Sequence, residues 1–384
     1  MNRPRSAVSL LLLAGAVLSG CGSAARQASA PSAAPAPPSL ATAVDTAGGT
    51  WAVTVMGGPA AQHNNFWQLF ARPAGSASWR LVTPPGVASN GGLVVAPLAG
   101  RSLVAGFRPS QELVFTPLAT TSDDGSAWSP GVLDAALADV PDALAADPGS
   151  GRLLALLANG TAELSGPGGA SWTTLAARRS VATSAAGTRC GLRDLTSAAF
   201  SPSGTPLLAG SCAHPGTAGV FADAGGAWRP AGPALPASVA GQPITVLRLS
   251  SMASGTIALL QAGTGPAASL LAAWSAGTGT PWALSPQLRL NGAAVTSASF
   301  GPGGTAAIVL AENRGLTITR AGNSWHALPP LPPGTATLAP GPGGGIDALA
   351  VHRTRLTIWQ LARGGAAWAQ MQAINVPIQF GSSG

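Results

Sequence analysis

Seven tryptophans, Trp79, Trp128, Trp172, Trp228, Trp282, Trp325 and Trp368, mark the chain at spacings of 49, 44, 56, 54, 43 and 43 residues, and six of them follow a glycine by three positions. A near-fixed period of this kind belongs to chains built from repeated supersecondary units, none of which can bury its apolar face alone. The mean spacing, about 48 residues, matches one four-stranded propeller blade.

A second series interleaves with the first: small-residue turns ending at Gly100, Gly151, Gly204, Gly255, Gly304, Gly344 and Gly384. Phe200-Ser-Pro-Ser-Gly-Thr205 and Phe300-Gly-Pro-Gly-Gly-Thr305 show the pattern, an apolar segment running into a Pro/Gly turn and a second apolar segment leaving it. This predicts two antiparallel strands joined by a tight hairpin. A third short strand (Val220 to Ala222, Leu316 to Thr319) and a fourth starting at the tryptophan complete each unit. The expected fold class is all-β, a seven-bladed β-propeller with four-stranded blades.

The phase of the series at the chain ends predicts how the ring closes. Residues Ile374 to Gly384 read as a first strand with its turn, and no second strand follows. A matching second strand stands at Gly49 to Val55. The C-terminal strand is therefore expected to pair with Trp51 to Val55 and complete the first blade, which would leave no exposed sheet edge.

With 51 Gly, 34 Pro and 9% charged residues, turns are frequent and long helical patterns few. Every one of the 20 basic residues is arginine, and tyrosine is absent. Biased coding and a selected arginine surface both account for that. Without Arg3 and Arg5 the chain holds 18 arginines against 13 acids. That excess is too dilute for nucleic-acid binding, which needs a concentrated basic stripe with stacking aromatics.

Arg3 and Arg5, the apolar run Ala7 to Val17 and Leu18-Ser19-Gly20-Cys21 resemble the leader and lipobox of bacterial lipoproteins, in which the cysteine carries the lipid. The run is shorter than the roughly 20 residues of a membrane span. An ordinary signal peptide that happens to contain a cysteine is the alternative. Residues 1–20 are thus expected to be a leader, 21–44 a lipidated cysteine with a flexible Ala/Pro/Ser-rich tether, and 45–384 the propeller. The protein would sit on the outer side of the cell membrane, held by its lipid. There Cys190 and Cys212, brought together by the hairpin at Pro202, can form a disulfide; two unpaired buried thiols are the competing reading.

Thr121-Ser-Asp123-Asp-Gly125-Ser-Ala-Trp128 is similar to the Asp-box, Ser/Thr-x-Asp-x-Gly-x-x-Trp, of BNR-repeat propellers, the group that includes sialidases and photosystem assembly factors. Phe221-Ala-Asp223-Ala-Gly225-Gly-Ala-Trp228 keeps Asp, Gly and Trp; the units ending at Trp172, Trp282, Trp325 and Trp368 keep Gly and Trp only. The resemblance implies a structural role for Thr121, Asp123, Gly125 and Trp128, with carboxylate and hydroxyl holding the amides of the hairpin. It does not extend to sialidase chemistry. Sialidases use a tyrosine nucleophile, which this chain lacks, and Phe107-Arg108-Pro109 misses the isoleucine of their Phe-Arg-Ile-Pro.

Other catalytic patterns are missing as well. His63, His214, His326 and His352 fall in different units without metal-ligand spacing, so no metal site is expected. Asp134, Asp139, Asp142 and Asp147 are separated by apolar residues and read as a solvated connection rather than a calcium loop. No cofactor motif is present. What the sequence offers is a binding surface on the loops that join successive units and the middle strands: Arg108, Glu112, Glu312, Arg314 and Arg353 from the latter, and Arg178, Arg179, Arg189 and Arg193 from the longest inter-unit connection. The expected function is a non-catalytic binding or scaffold module for an envelope protein or an anionic glycan. The alternative is a divergent glycoside hydrolase or lyase using carboxylates on that face, such as Glu112 and Glu312.

Overall fold

The computed structural model describes residues 42–46, 49–57, 65–84, 92–107, 118–130, 141–147, 149–166, 171–252, 255–277, 279–322 and 324–377. Their strands follow one another as antiparallel meanders. The first is Thr42–Thr46, Gly49–Gly57, Asn65–Pro73 and Arg80–Leu81; the second Leu93–Pro97, Leu103–Phe107, Leu118–Thr121 and Ser129–Pro130. The third is Pro141–Ala146, Leu153–Leu157, Thr161–Ser165 and Trp172–Ala177; the fourth Leu192–Phe200, Pro206–Cys212, Val220–Asp223 and Trp228–Pro230. The fifth is Ile244–Met252, Gly255–Ala262, Ser269–Ser275 and Ala283–Leu284; the sixth Val295–Gly301, Thr305–Leu310, Arg314–Ile318 and His326–Ala327. The seventh is Thr335–Pro340, Ile346–His352, Arg355–Leu361 and Ala369–Asn375. Among the described residues a parallel pairing, Val44 with Phe300, joins the first meander to the sixth, and an antiparallel one, Ser211 with Thr245, joins the fourth to the fifth.

The second strand Leu153–Leu157 is buried along its whole length, because the third meander packs against the second on one face and the fourth on the other. Leu154 and Leu156 pack with Phe200, Leu208 and Phe221 between the third and fourth meanders. Leu259 and Trp274 pack with Phe300 and Ile308 between the fifth and sixth. The first meander packs on the seventh through Ala43, Met56 and Phe70 against Leu349, Leu356 and Ile358.

The tryptophan period has a direct cause in this packing. An indole N–H near the outer strand of one meander donates to a backbone carbonyl just past the outer strand of the meander before it. Trp128 reaches Val82 O at 2.8 Å, Trp282 reaches Ala231 O at 2.8 Å and Trp325 reaches Pro286 O at 2.9 Å. Each of these three half-buried rings packs in the seam between two sheets while its one polar atom finds a partner, whereas the Trp172 indole N–H, buried between the second and third meanders, has none among the described residues.

The chain ends depart from the expectation. Gly49–Gly57 pairs on one side with Asn65–Pro73 and on the other with Thr42–Thr46, so no place remains for a C-terminal strand. Ile374 instead pairs with Leu356, in the fourth strand of the seventh meander; residues 378–384 lie outside the described residues. The hairpin that makes this possible turns at Gly49, with φ 140° and an ideal Cβ only 2.3 Å from Arg72 O. Gly255 has the same geometry in the fifth meander, with φ 145° and Ser275 O at 1.9 Å. Gly49, not Gly384, is thus the glycine that turns the first meander. Residues 42–44, grouped with the tether from composition, are buried strand residues.

Candidate functional site

The longest connection, between the third and fourth meanders, folds as two short helices, α1 (Arg178–Thr183) and α2 (Ala185–Cys190). Composition does not announce helices here, but local signals exist: Ser184 caps α2 by accepting from Gly187 N–H at 3.1 Å, and Gly191 ends it at φ 61°. Cys190, the last residue of α2, is bonded to Cys212, whose backbone pairs with Leu192. The disulfide of the sequence reading is therefore present, and it ties the helical insertion to the sheet.

On this insertion the predicted arginines divide. The Arg178 guanidinium is engaged, at 2.9 Å from Asp194 Oδ1 and 3.2 Å from Arg193 O. Arg179, Arg189 and Arg193 are exposed, and no described residue bonds to their guanidinium groups. Glu312 and Arg314 lie elsewhere, flanking the hairpin of the sixth meander and 3.9 Å from each other. Arg353, with φ 53°, occupies the hairpin of the seventh, and its carbonyl accepts from Gly57 N–H at 2.8 Å. No hydrogen bond or ion pair among the described residues joins these hairpins to the insertion. Arg108, Glu112 and Cys21 lie outside the described residues.

The Asp-box segment is an internally bonded turn. Thr121 Oγ1 donates to Asp123 Oδ1 at 2.8 Å and accepts from Gly125 N–H at 3.0 Å, while Ala127 N–H donates to Asp123 Oδ1 at 2.9 Å. The Ala127 amide and the Thr121 hydroxyl hold the Asp123 carboxyl below the usual carboxylate range. Gly125 is confined by geometry, with φ 78° and the Val82 side chain 2.6 Å from where a Cβ would stand. These bonds tie the Asp123 carboxylate and the Thr121 hydroxyl to the amides of the hairpin itself.

A feature that the sequence reading missed lies at the other end of the meanders. First strands and first hairpins from every meander line a cavity of about 830 Å³, with Val44, Val95, Leu144, Leu249 and Phe300 among its apolar walls. Arg72, Asp347 and Arg248 are the charged residues among its described lining. Asp347 is buried and accepts from Arg72 at 2.6 Å, from the Trp79 indole at 2.8 Å and from Gln360 at 3.2 Å. Asp347 is the one carboxylate among the described lining of the cavity. Among the described residues no group of three or more His, Cys, Asp or Glu side chains is placed to hold a metal ion.

No known family model matches this sequence, and no curated protein matches it. Solved structures do resemble the fold. A protein from Lactobacillus plantarum aligns over 85% of this chain and 97% of its own, at 11% identity and TM-score 0.52. A Bacteroides uniformis protein provisionally assigned as a 6-phosphogluconolactonase aligns over 85% and 97%, at 12% identity and TM-score 0.50. YCF48 from Cyanidioschyzon merolae aligns over 86% and 96%, at 12% identity and TM-score 0.47. Likeness at such identities shows the fold alone, an all-β chain of the β-propeller kind.

Proposed function

We propose that the meanders are the seven blades of one closed propeller of the BNR/Asp-box kind, carried on a lipid anchor at Cys21 on the outer side of the cell membrane, and that it serves as a non-catalytic binding module for an envelope protein or an anionic glycan. The contact of the first meander with the last supports closure, and the Thr121 to Trp128 turn supports the Asp-box assignment. The observation that carries the binding reading is the insertion after Trp172–Ala177. Three guanidinium groups, of Arg179, Arg189 and Arg193, stand in solvent without internal partners on a segment held by two helices and a disulfide. A rigid display of unspent cationic forks suits carboxylate and phosphate groups, because each fork can donate two parallel hydrogen bonds.

The test is capture from native membranes by the wild-type chain and by a triple Arg179→Ala, Arg189→Ala, Arg193→Ala variant, with Arg178→Ala beside it. The triple variant should lose the partner while melting within a few degrees of wild type, since exposed substitutions alter stability by about 0.5 kcal/mol or less. Equal capture by both chains would return these arginines to a solvated surface. For the anchor, Cys21→Ala should abolish incorporation of a labelled fatty acid; unchanged labelling would remove the lipoprotein reading.

A further inference from the structure

Among the described residues three arginines lie over aromatic rings: Arg72 over Trp79 at 5.4 Å, Arg152 over Phe200 at 5.5 Å and Arg248 over Phe300 at 5.6 Å. The first two are neutralised. Arg72 is 2.6 Å from Asp347, and Arg152 is 3.1 Å from Asp147 and 2.6 Å from Gly204 O. Arg248 has no counterpart to these bonds. No described residue accepts from its guanidinium, and its Nε is closed to solvent and unbonded.

The position is also chemically out of line with its repeats. Ile244–Met252 carries a bulge between Val246 and Arg248, and the first strands of other meanders carry the same bulge before Ser197, Ser297 and Thr337. Those three are small, buried hydroxyl residues, and Ser297 and Thr337 bond to each other at 2.8 Å. Where the repeat places a short hydroxyl, the fifth meander places a cation. Alternation along the strand then puts Arg248 and Ser250 on one side, toward Phe300, and Ser251 on the other, where its hydroxyl bonds to Phe200 O at 2.8 Å. Arg248 and Ser250 both line the cavity, and the Ser250 hydroxyl makes only one long contact, 3.4 Å to Ser251 O.

An unpaired charge enclosed by protein is costly, because nothing replaces the water removed from it. Burial pushes the Arg248 pKa down to about 10, so the group is still cationic at neutral pH. Part of the side chain faces the cavity interior and is reached by water there, whereas its Nε is not. With Arg72 and Asp347 cancelling each other, the described lining of the cavity carries one net positive charge, at Arg248.

We propose that the cavity is a binding site for a small organic monocarboxylate, its carboxylate taken by the Arg248 fork with Ser250 beside it and its apolar body against Phe300, Leu249, Val44 and Val95. A volume of about 830 Å³ admits a ligand of that size, and apolar walls around a single orienting charge are the usual make-up of such sites. One guanidinium matches a single negative charge, which favours a carboxylate over a phosphate dianion. This goes beyond the binding function proposed above. The insertion with Arg179 leads into the start of Leu192–Phe200, whereas the cavity gathers residues near the far ends of the first strands, so the two sites can be tested separately.

The experiment titrates the full-length chain in detergent with 2-naphthoate, with 2-naphthamide as its uncharged analogue and inorganic phosphate as an anion without an apolar body, using calorimetry against a detergent blank. Wild type should bind one naphthoate saturably, with the amide and phosphate at least tenfold weaker. Arg248→Met should weaken naphthoate at least tenfold and melt no lower than wild type, because it removes an uncompensated charge, and Arg248→Lys should keep part of the affinity. The proposal is overturned by an absence of saturable naphthoate binding, by equal binding of the amide or phosphate, or by undiminished binding to Arg248→Met. A marked drop in the melting temperature of Arg248→Met would also overturn it, showing that the cation is a structural prop over Phe300.

Discussion

The Trp79 indole N–H donates to Asp347 Oδ2 at 2.8 Å across a sequence separation of 268 residues, joining the first meander to the second strand of the last. The same seam holds two further bonds. Trp79 N–H donates to Gln372 Oε1 at 2.8 Å, and Gln372 Nε2 donates back to Trp79 O at 2.8 Å. Trp128, Trp282, Trp325 and Trp368 donate to a backbone carbonyl of the preceding meander, and the buried Trp172 indole N–H has no partner among the described residues; here, with the seventh meander as neighbour, Trp79 finds a side-chain carboxylate. The seam is therefore made of polar contacts between chain ends as well as of the apolar cluster around Phe70 and Leu349.

Asp347→Ala should strip Arg72 and Trp79 of their shared acceptor and leave a cation only 14% exposed, bonded to Thr50 Oγ1 but without its counter-charge. Breaking a buried pair in this way costs about 3 to 5 kcal/mol. Trp79→Phe, which keeps an aromatic ring but removes the donor and part of the buried volume, should cost at least about 1.5 to 3 kcal/mol, the worth of a bond to a charged group. Urea denaturation of both single variants and the double variant should show non-additive losses. Additive effects would mean that the two residues do not act on one another.

Gly49 and Gly100 separate two reasons for a turn glycine. At Gly100, with φ 66°, nothing stands within 4 Å of an added Cβ, so alanine there carries only the conformational penalty, about 1 to 2 kcal/mol. At Gly49 the Cβ would meet Arg72 O at 2.3 Å as well, so the Thr42–Thr46 hairpin must shift. Gly49→Ala is expected to lower the melting temperature well beyond Gly100→Ala. Equal effects would argue that Thr42–Thr46 contributes little to the first meander.

Most of this architecture is legible because the repeat is written in residues with a single job. Tryptophan fills a seam, and glycine turns a hairpin at positive φ, so both recur with the period of the fold. The chain ends are less legible. Ala-Val-Asp-Thr from 43 to 46 is too short and too small to stand out from the Ala/Pro/Ser stretch before it, whereas Phe380-Gly-Ser-Ser-Gly384 copies the turn motif closely. Pairing decides what composition cannot, since the strand nearer in sequence pairs with Gly49–Gly57 through a hairpin with a small loop-closure cost. The cavity is illegible for another reason. Arg248 is one arginine among 20 in the sequence, and only the bulge register shows it standing where other meanders have Ser197, Ser297 and Thr337.

Reduction of the disulfide provides a local test. Cys190 and Cys212 enclose a loop with a sequence separation of 22, and cross-linking a loop of that size is worth about 3 kcal/mol in the chain-entropy account. Because the bond anchors α2 to Pro206–Cys212, its loss should fray the insertion before the sheet. Hydrogen exchange of the Cys190→Ala, Cys212→Ala double variant should show the amides of 178–191 losing protection first. Uniform loss across the fourth meander would mean that the insertion and the sheet unfold as one unit.

Acid should weaken the fold through Asp147 in particular. Burial raises the pKa of this carboxyl, but the Ser150 hydroxyl at 2.5 Å, the Gly149 N–H at 3.0 Å and the Arg152 guanidinium at 3.1 Å outweigh it, and the net shift is downward. A carboxyl held below its unfolded value of about 3.9 stabilises the folded state above that pH, and the contribution fades as pH falls through the lower, folded value. Arg152 also donates to Gly204 O at 2.6 Å and lies over Phe200, so protonating Asp147 loosens the contact between the third and fourth meanders as well as one turn. Asp147→Asn should therefore be less stable than wild type by about 2 kcal/mol at pH 7, where the charged partner of Arg152 is lost outright. The difference should shrink as urea midpoints are followed down from pH 5 to pH 2.5, because wild type loses the same interaction by protonation. A gap between the two proteins that stays constant over this range would show that the carboxylate charge of Asp147 is not what holds the seam.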